Sequence, residues 1–198
     1  MSKLAQARKA TSDYFTQPVV KVLARTPVTP NTITWLGFWV TVVAAVLVVT
    51  GNLFAAGFVV LFAGFFDMLD GALARLTNKT SSFGAALDST LDRLSEAVLL
   101  LAVMVQYTQH QSYWYVLLAG AALIGSFMVS YIRARAEGLG LQLLEGFFTR
   151  ADRVVVLALG LLLSQINGIL AIALGIIAVL SFVTAGQRLF LVWQKTRK

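Results

Sequence analysis

DMLDGALARLTNKTSSFGAALDSTLD, residues 67–92, sets four aspartates into a chain whose flanks on both sides are almost wholly apolar. Asp67 and Asp70 stand i, i+3 apart, and Asp88 and Asp92 stand i, i+4 apart, so on helices each pair projects from a single face. The polar break Lys79-Thr80-Ser81-Ser82 lies between them. Two helical carboxylate pairs joined by such a turn can converge on one site.

The chain around this stretch has 198 residues, of which 58% are hydrophobic and 13% charged, against roughly 25% charged in an ordinary soluble domain. That composition reads as an all-α integral membrane protein. Zero cysteines exclude disulfides, thiolate metal sites and a cysteine nucleophile. The opening MSKLAQARKA lacks the apolar core of a secretory signal and reads as retained. The net charge of +7 does not imply nucleic acid, because the basic residues stand at the ends of apolar runs. Lipid headgroups or phosphorylated substrates at the membrane surface fit that placement.

Six runs are long enough to cross a bilayer: 32–50, 53–76, 83–107, 113–137, 150–166 and 168–193. Ahead of them, residues 3–25 mix Lys3, Arg8, Lys9, Lys21 and Arg25 with aromatic and aliphatic residues, as an amphipathic helix lying in the interface does. The expected architecture is a juxtamembrane segment, 1–30, followed by a six-transmembrane-helix bundle, 31–198. With six crossings, every Lys and Arg falls at or near one side, and the three opposite turns hold none. The positive-inside rule then puts both termini and all charged chemistry at the cytoplasmic face of the cell membrane. Asp67 lies about 21 Å along its span, a turn or two below the cytosolic boundary of a core about 30 Å thick.

Carboxylates clustered at that depth repel one another unless a cation neutralises them. All-oxygen ligands suit magnesium, manganese or calcium and disfavour zinc. Four carboxylates exceed what one magnesium usually takes from protein, which points to two ions and to phosphoryl chemistry. Gly71, Ala72 and Ala74 leave room for a ligand, Arg75 offers a bidentate fork, and Thr80, Ser81 and Ser82 offer hydroxyls.

The spacing Asp67-x2-Asp70-Gly71-x2-Ala74-Arg75-x8-Gly84-x3-Asp88-x3-Asp92 resembles, position for position, the signature of the CDP-alcohol phosphotransferase family. The resemblance implies that Asp67, Asp70 and Asp88 bind a first metal, Mg2+ or Mn2+, and that Asp67, Asp88 and Asp92 bind a second. It implies Asp92 as the base that deprotonates the acceptor hydroxyl. It also implies that Gly71, Ala74, Arg75, Ser81 and Gly84, with Asn31, Thr32, Ile33 and Thr34, bind CDP-diacylglycerol. The implied reaction moves the phosphatidyl group to an alcohol and releases CMP, and the implied assembly is a homodimer.

A second polar group bears on the acceptor. Arg133 and Arg135 end the fourth span, Arg150 and Arg153 open the fifth, and Arg188 lies at the inner end of the sixth. Five arginines suit an alcohol carrying its own phosphate. The blocks MSKL, FDMLDGALAR, SYIRARAEGLG and GQRL resemble the phosphatidylinositol phosphate synthases of actinobacteria, whose acceptor is 1D-myo-inositol 3-phosphate. Arg133 stands where that group usually has Lys, and TRADR where it usually has ERxER.

Plainer readings stand beside these. The aspartates can be an ion-pair network with Arg75, Arg93 and Arg135, and juxtamembrane arginines can do no more than set topology. Arg135 and Arg150 divide evenly between substrate contact and pairing with Glu137 or Asp152. Glu96 reads as an arginine's partner. Glycerol 3-phosphate is the alternative acceptor. A divalent-cation transporter is the alternative class, but the outer halves of the spans carry no charge.

Overall fold

The computed structural model describes residues 16–141 and 146–197, and among them every regular element is a helix. Residues 16–23 are helical (α1), followed by α2 (Pro30–Val49), α3 (Leu53–Leu76), α4 (Ser82–Gln109), α5 (Tyr113–Gly138), α6 (Arg150–Leu162) and α7 (Ile169–Thr196).

Local chemistry places these boundaries. The Thr29 side chain accepts from the Thr32 amide and Pro30 opens the first turn of α2, where its missing N–H costs nothing. The Ser81 hydroxyl accepts from the Gly84 amide and starts α4. Thr149 and Asp152 form a capping box at the start of α6. The sequence carries the fifth span to residue 166, whereas α6 ends at Leu162. Residues 163–168 turn instead, and Gly168 adopts φ 81 ahead of α7, a left-handed conformation that glycine reaches at little cost.

Helices α2, α3, α5 and α7 are each long and apolar enough to cross a membrane. Large apolar side chains face outward, among them Phe54, Phe58 and Phe62 on α3, Ile124 on α5 and Val179 on α7. Such a surface belongs in lipid rather than water, and the chain is a multi-pass membrane protein. The 28-residue α4 is also long enough, but Asp88, Asp92, Arg93 and Glu96 interrupt its apolar surface. The 13 residues of α6 extend only about 20 Å.

The helices pack as a closed ring in the order α2, α4, α5, α7, α6, α3 and back to α2. The core inside it includes Ala44, Ala56, Ala119, Ala122 and Ala158, all fully buried, and such small residues let helices approach closely where lipid removes the hydrophobic drive. Helix α3 approaches α6 closely: a Cβ on Gly57 would stand 2.7 Å from Leu162 Cγ and 2.9 Å from the Leu162 amide nitrogen.

At one end of the ring, Val20 of α1 packs with Ile33 of α2 and Leu69 and Leu73 of α3. Thr16 and Val20 are buried while Lys21 and Val22 are exposed, so α1 is two-faced where it is described. Residues 1–15 of the expected juxtamembrane segment lie outside the described residues. At the same end the segment before α6 is seated on α7: the Phe148 amide donates to Thr184 Oγ1 at 3.2 Å and the Phe147 amide to Gln187 Oε1 at 3.3 Å.

Candidate active site

The four aspartates come together at that end. Asp67 and Asp70 lie near the C-terminus of α3, Asp88 and Asp92 near the N-terminus of α4, and each is within electrostatic reach of at least one other. Asp70 is buried, with Oδ2 accepting from Thr34 Oγ1 at 2.8 Å and Oδ1 accepting from the Gly71 amide at 2.5 Å. Arg150 of α6 enters from the third side. One of its nitrogens, Nη1, lies 2.7 Å from Asp67 Oδ2 and 2.7 Å from Asp92 Oδ1.

The sequence grouped Arg150 with the acceptor arginines, with pairing to Glu137 or Asp152 as the alternative, and the structure pairs it instead with Asp67 and Asp92. No short-range pattern signals this, because the contact depends on how α6 packs against α3. The hydroxyl of Thr34 as the anchor of Asp70 is likewise a product of the packing of α2 on α3.

Beside Asp70 and Asp88, which help to line it, a pocket opens to solvent. Asn31, Thr34, Gly71, Ala74, Arg75, Ser81 and Gly84 all line it. Thr32 and Ile33, expected among them, do not. Along α2, residues 31 and 34 share a face and the two between them turn away. Thr32 is exposed with its hydroxyl 2.9 Å from that of Thr29, and Ile33 is buried against Val20 and Leu69. Gly84 keeps the floor of the pocket open: a Cβ there would lie 3.0 Å from Ser81 Oγ and 3.1 Å from Asn31 Oδ1.

A group of guanidiniums forms a second wall, none of them lining that pocket. Arg153 is buried and paired with Glu96, Nε to Oε1 at 2.5 Å and Nη2 to Oε2 at 3.0 Å, which is the arginine partner expected for Glu96. Arg188 is buried, and its Nη1 donates to the Val129 carbonyl at 2.7 Å. Arg133, half exposed, pairs with Glu137 at 2.8 Å. Arg188 lies within electrostatic reach of both Arg133 and Arg153. Arg135 is exposed, and two residues from Arg133 it projects from a different face of α5. A narrow, mostly apolar cavity is lined at its polar part by Asp67, Ser95, Glu96, Arg150 and Arg153.

As they stand, no three His, Cys, Asp or Glu side chains among the described residues are arranged to hold a metal ion. The donor set still fits one. It consists of carboxylate oxygens alone, which hard divalent cations prefer, and a cation, the Arg150 guanidinium, is already accommodated between Asp67 and Asp92.

Residues 27–184 match the CDP-alcohol phosphatidyltransferase family. The chain is 38% identical to an archaetidylinositol phosphate synthase of Pyrococcus horikoshii over 171 residues, 86% of each protein. The crystal structure of Mycobacterium tuberculosis phosphatidylinositol phosphate synthase with CDP-DAG bound is similar at a TM-score of 0.83 and 36% identity, covering 90% of this chain and 93% of that one. A crystal structure of the same mycobacterial enzyme in complex with manganese and citrate gives the same TM-score and identity over 90% of this chain and 88% of that one.

Proposed function

The chain belongs to the CDP-alcohol phosphatidyltransferase family and is an enzyme of it, and on that premise we propose that it transfers the phosphatidyl group of CDP-diacylglycerol to 1D-myo-inositol 3-phosphate. The products are a phosphatidylinositol phosphate and CMP. The observation that carries this reading is the juxtaposition of an aspartate cluster with two unlike walls: a roomy pocket lined by Arg75 and Gly84 on one side, and Arg133, Arg153 and Arg188 on the other.

In this reading the CDP group occupies the pocket, where Gly71 and Gly84 admit it and Arg75 holds a phosphate oxygen by a charge-assisted hydrogen bond. The inositol phosphate lies against the guanidinium wall, whose fixed forks match a phosphate. Asp92 accepts the proton of the attacking hydroxyl. The hydroxyl oxygen bonds to the phosphorus that carries diacylglycerol, and the bond from that phosphorus to the oxygen of CMP breaks. Two divalent ions, Mg2+ or Mn2+, held by Asp67, Asp70, Asp88 and Asp92, would offset the charge on the phosphates. Six crossings with both termini cytoplasmic, and a homodimer, complete the proposal. The names of the relatives in Pyrococcus and Mycobacterium favour an inositol phosphate over other alcohols.

The test is a CMP-release assay on purified protein with CDP-diacylglycerol, Mg2+ and one acceptor at a time. Release that depends on inositol phosphate is expected. Release only with glycerol 3-phosphate would replace the acceptor and keep the reaction, and no release with any alcohol alongside Mn2+ flux in liposomes would replace the reaction with transport.

A further inference from the structure

We propose that Arg150 is an internal counter-ion that exchanges with the divalent cation, so that metal binding at the aspartates releases this arginine to the acceptor wall. The proposal rests on the reading that the aspartates hold a metal.

Three features carry it. First, a single nitrogen of Arg150 meets one oxygen of Asp67 and one of Asp92 at the same 2.7 Å. A cation placed so symmetrically between two carboxylates of different helices occupies the position in which their charges are best neutralised. Any second cation liganded by both residues competes for those oxygens.

Second, the pose does not satisfy the arginine. Its Nε is buried with no hydrogen-bond partner, and a buried donor left unmade is costly. Arg153 meets the single carboxylate of Glu96 with two nitrogens of its fork. Arg150 instead spans two acids with one atom. An alternative pose that satisfies Nε has a ready gain in free energy once the carboxylates have another partner.

Third, the neighbourhood supplies that alternative. Arg150 and Arg153 are i, i+3 on α6 and share a face, and both line the cavity that also holds Asp67 and Glu96. Released from Asp67 and Asp92, the Arg150 guanidinium lies one turn from Arg153 at the acceptor wall. The metal-free state is thereby held together without a metal, and an anionic acceptor gains a further cation only after the metal has bound. By linkage the coupling is reciprocal: an arginine that opposes metal binding is itself displaced by metal.

The experiment uses the full chain in detergent. Mn2+ affinity is measured by the EPR signal of the free ion for wild type, Arg150→Gln and Asp88→Asn. Removing the competing charge should tighten Mn2+ binding by about tenfold, within the range of coupling between sites. In parallel, wild-type protein is treated with phenylglyoxal with and without Mn2+, and labelling of Arg150 is read by mass spectrometry. Mn2+ should raise it several-fold. Equal or weaker Mn2+ binding by Arg150→Gln overturns the exchange, as does Arg150 labelling that Mn2+ leaves unchanged or lowers. The labelling arm decides if the variant does not fold. Mn2+ binding by wild type that Asp88→Asn abolishes keeps the metal reading intact whatever Arg150 does, whereas no Mn2+ binding by either wild type or Arg150→Gln overturns both.

Discussion

Arg153 of α6 and Glu96 of α4 meet across the ring as a two-pronged ion pair sealed from solvent, with nitrogen-to-oxygen distances of 2.5 and 3.0 Å. The carboxylate holds the fork by Nε and Nη2 and leaves the buried Nη1 without a hydrogen-bond partner. A guanidinium fixed on one edge and open on the other is suited to receive an anion.

Removing one member of that pair leaves a buried charge without its partner. Glu96→Ala is expected to destabilise the protein by about 3–5 kcal/mol, read as a lower thermal midpoint in detergent. The pair replaced together by Leu at 96 and Met at 153 should recover most of the loss without recovering turnover. Equal destabilisation by the single and the double replacement would show that packing rather than charge holds α4 to α6 here.

Asp92→Asn keeps the size of the side chain and removes its ability to accept a proton. Turnover should fall by about 10²–10⁴-fold, the usual contribution of a general base, while CDP-diacylglycerol binding by calorimetry changes little. Turnover near the wild-type value would assign the proton to another group.

Gly84→Ala places a methyl 3.0 Å from Ser81 Oγ and 3.1 Å from Asn31 Oδ1, inside the pocket proposed for the donor. The KM for CDP-diacylglycerol should rise and the KM for the acceptor should stay put. A rise in the acceptor KM alone would exchange the roles of the two walls.

Gly146→Ala tests the other wall. A Cβ at 146 would stand 2.7 Å from Arg188 Nη2 and 3.1 Å from its Nε, so the guanidinium must shift. The expected result is the mirror image of the previous one: weaker use of a phosphorylated acceptor, with donor KM unchanged.

Much of this was legible in the sequence because it is short-range. Apolar run lengths gave the helices, since a helix that crosses lipid must be long and apolar, and the polar breaks at 51–52, 79–82 and 165–168 interrupt them. The spacing of Asp67, Asp70, Asp88 and Asp92 carried the site for a similar reason: i, i+3 and i, i+4 fix a shared face before any packing is known. What escaped lies between helices far apart in sequence. The partners of Arg150, and the choice of Arg153 as the arginine that Glu96 meets, each join elements whose adjacency no local pattern encodes. Ile33 shows the converse, a residue inside a motif-bearing segment that rotation along α2 turns into the core.

The order of the ring bears on how the protein is made. Consecutive helices α3 and α4 carry the aspartates, yet α2 packs against both, and the ring closes only when α6 packs on α3. During synthesis α3 and α4 are therefore complete before Arg150, which pairs with Asp67 and Asp92, has been added to the chain. Nascent chains ending at Gly138 should accordingly be cleared from membranes faster than full-length ones, which pulse-labelling would measure.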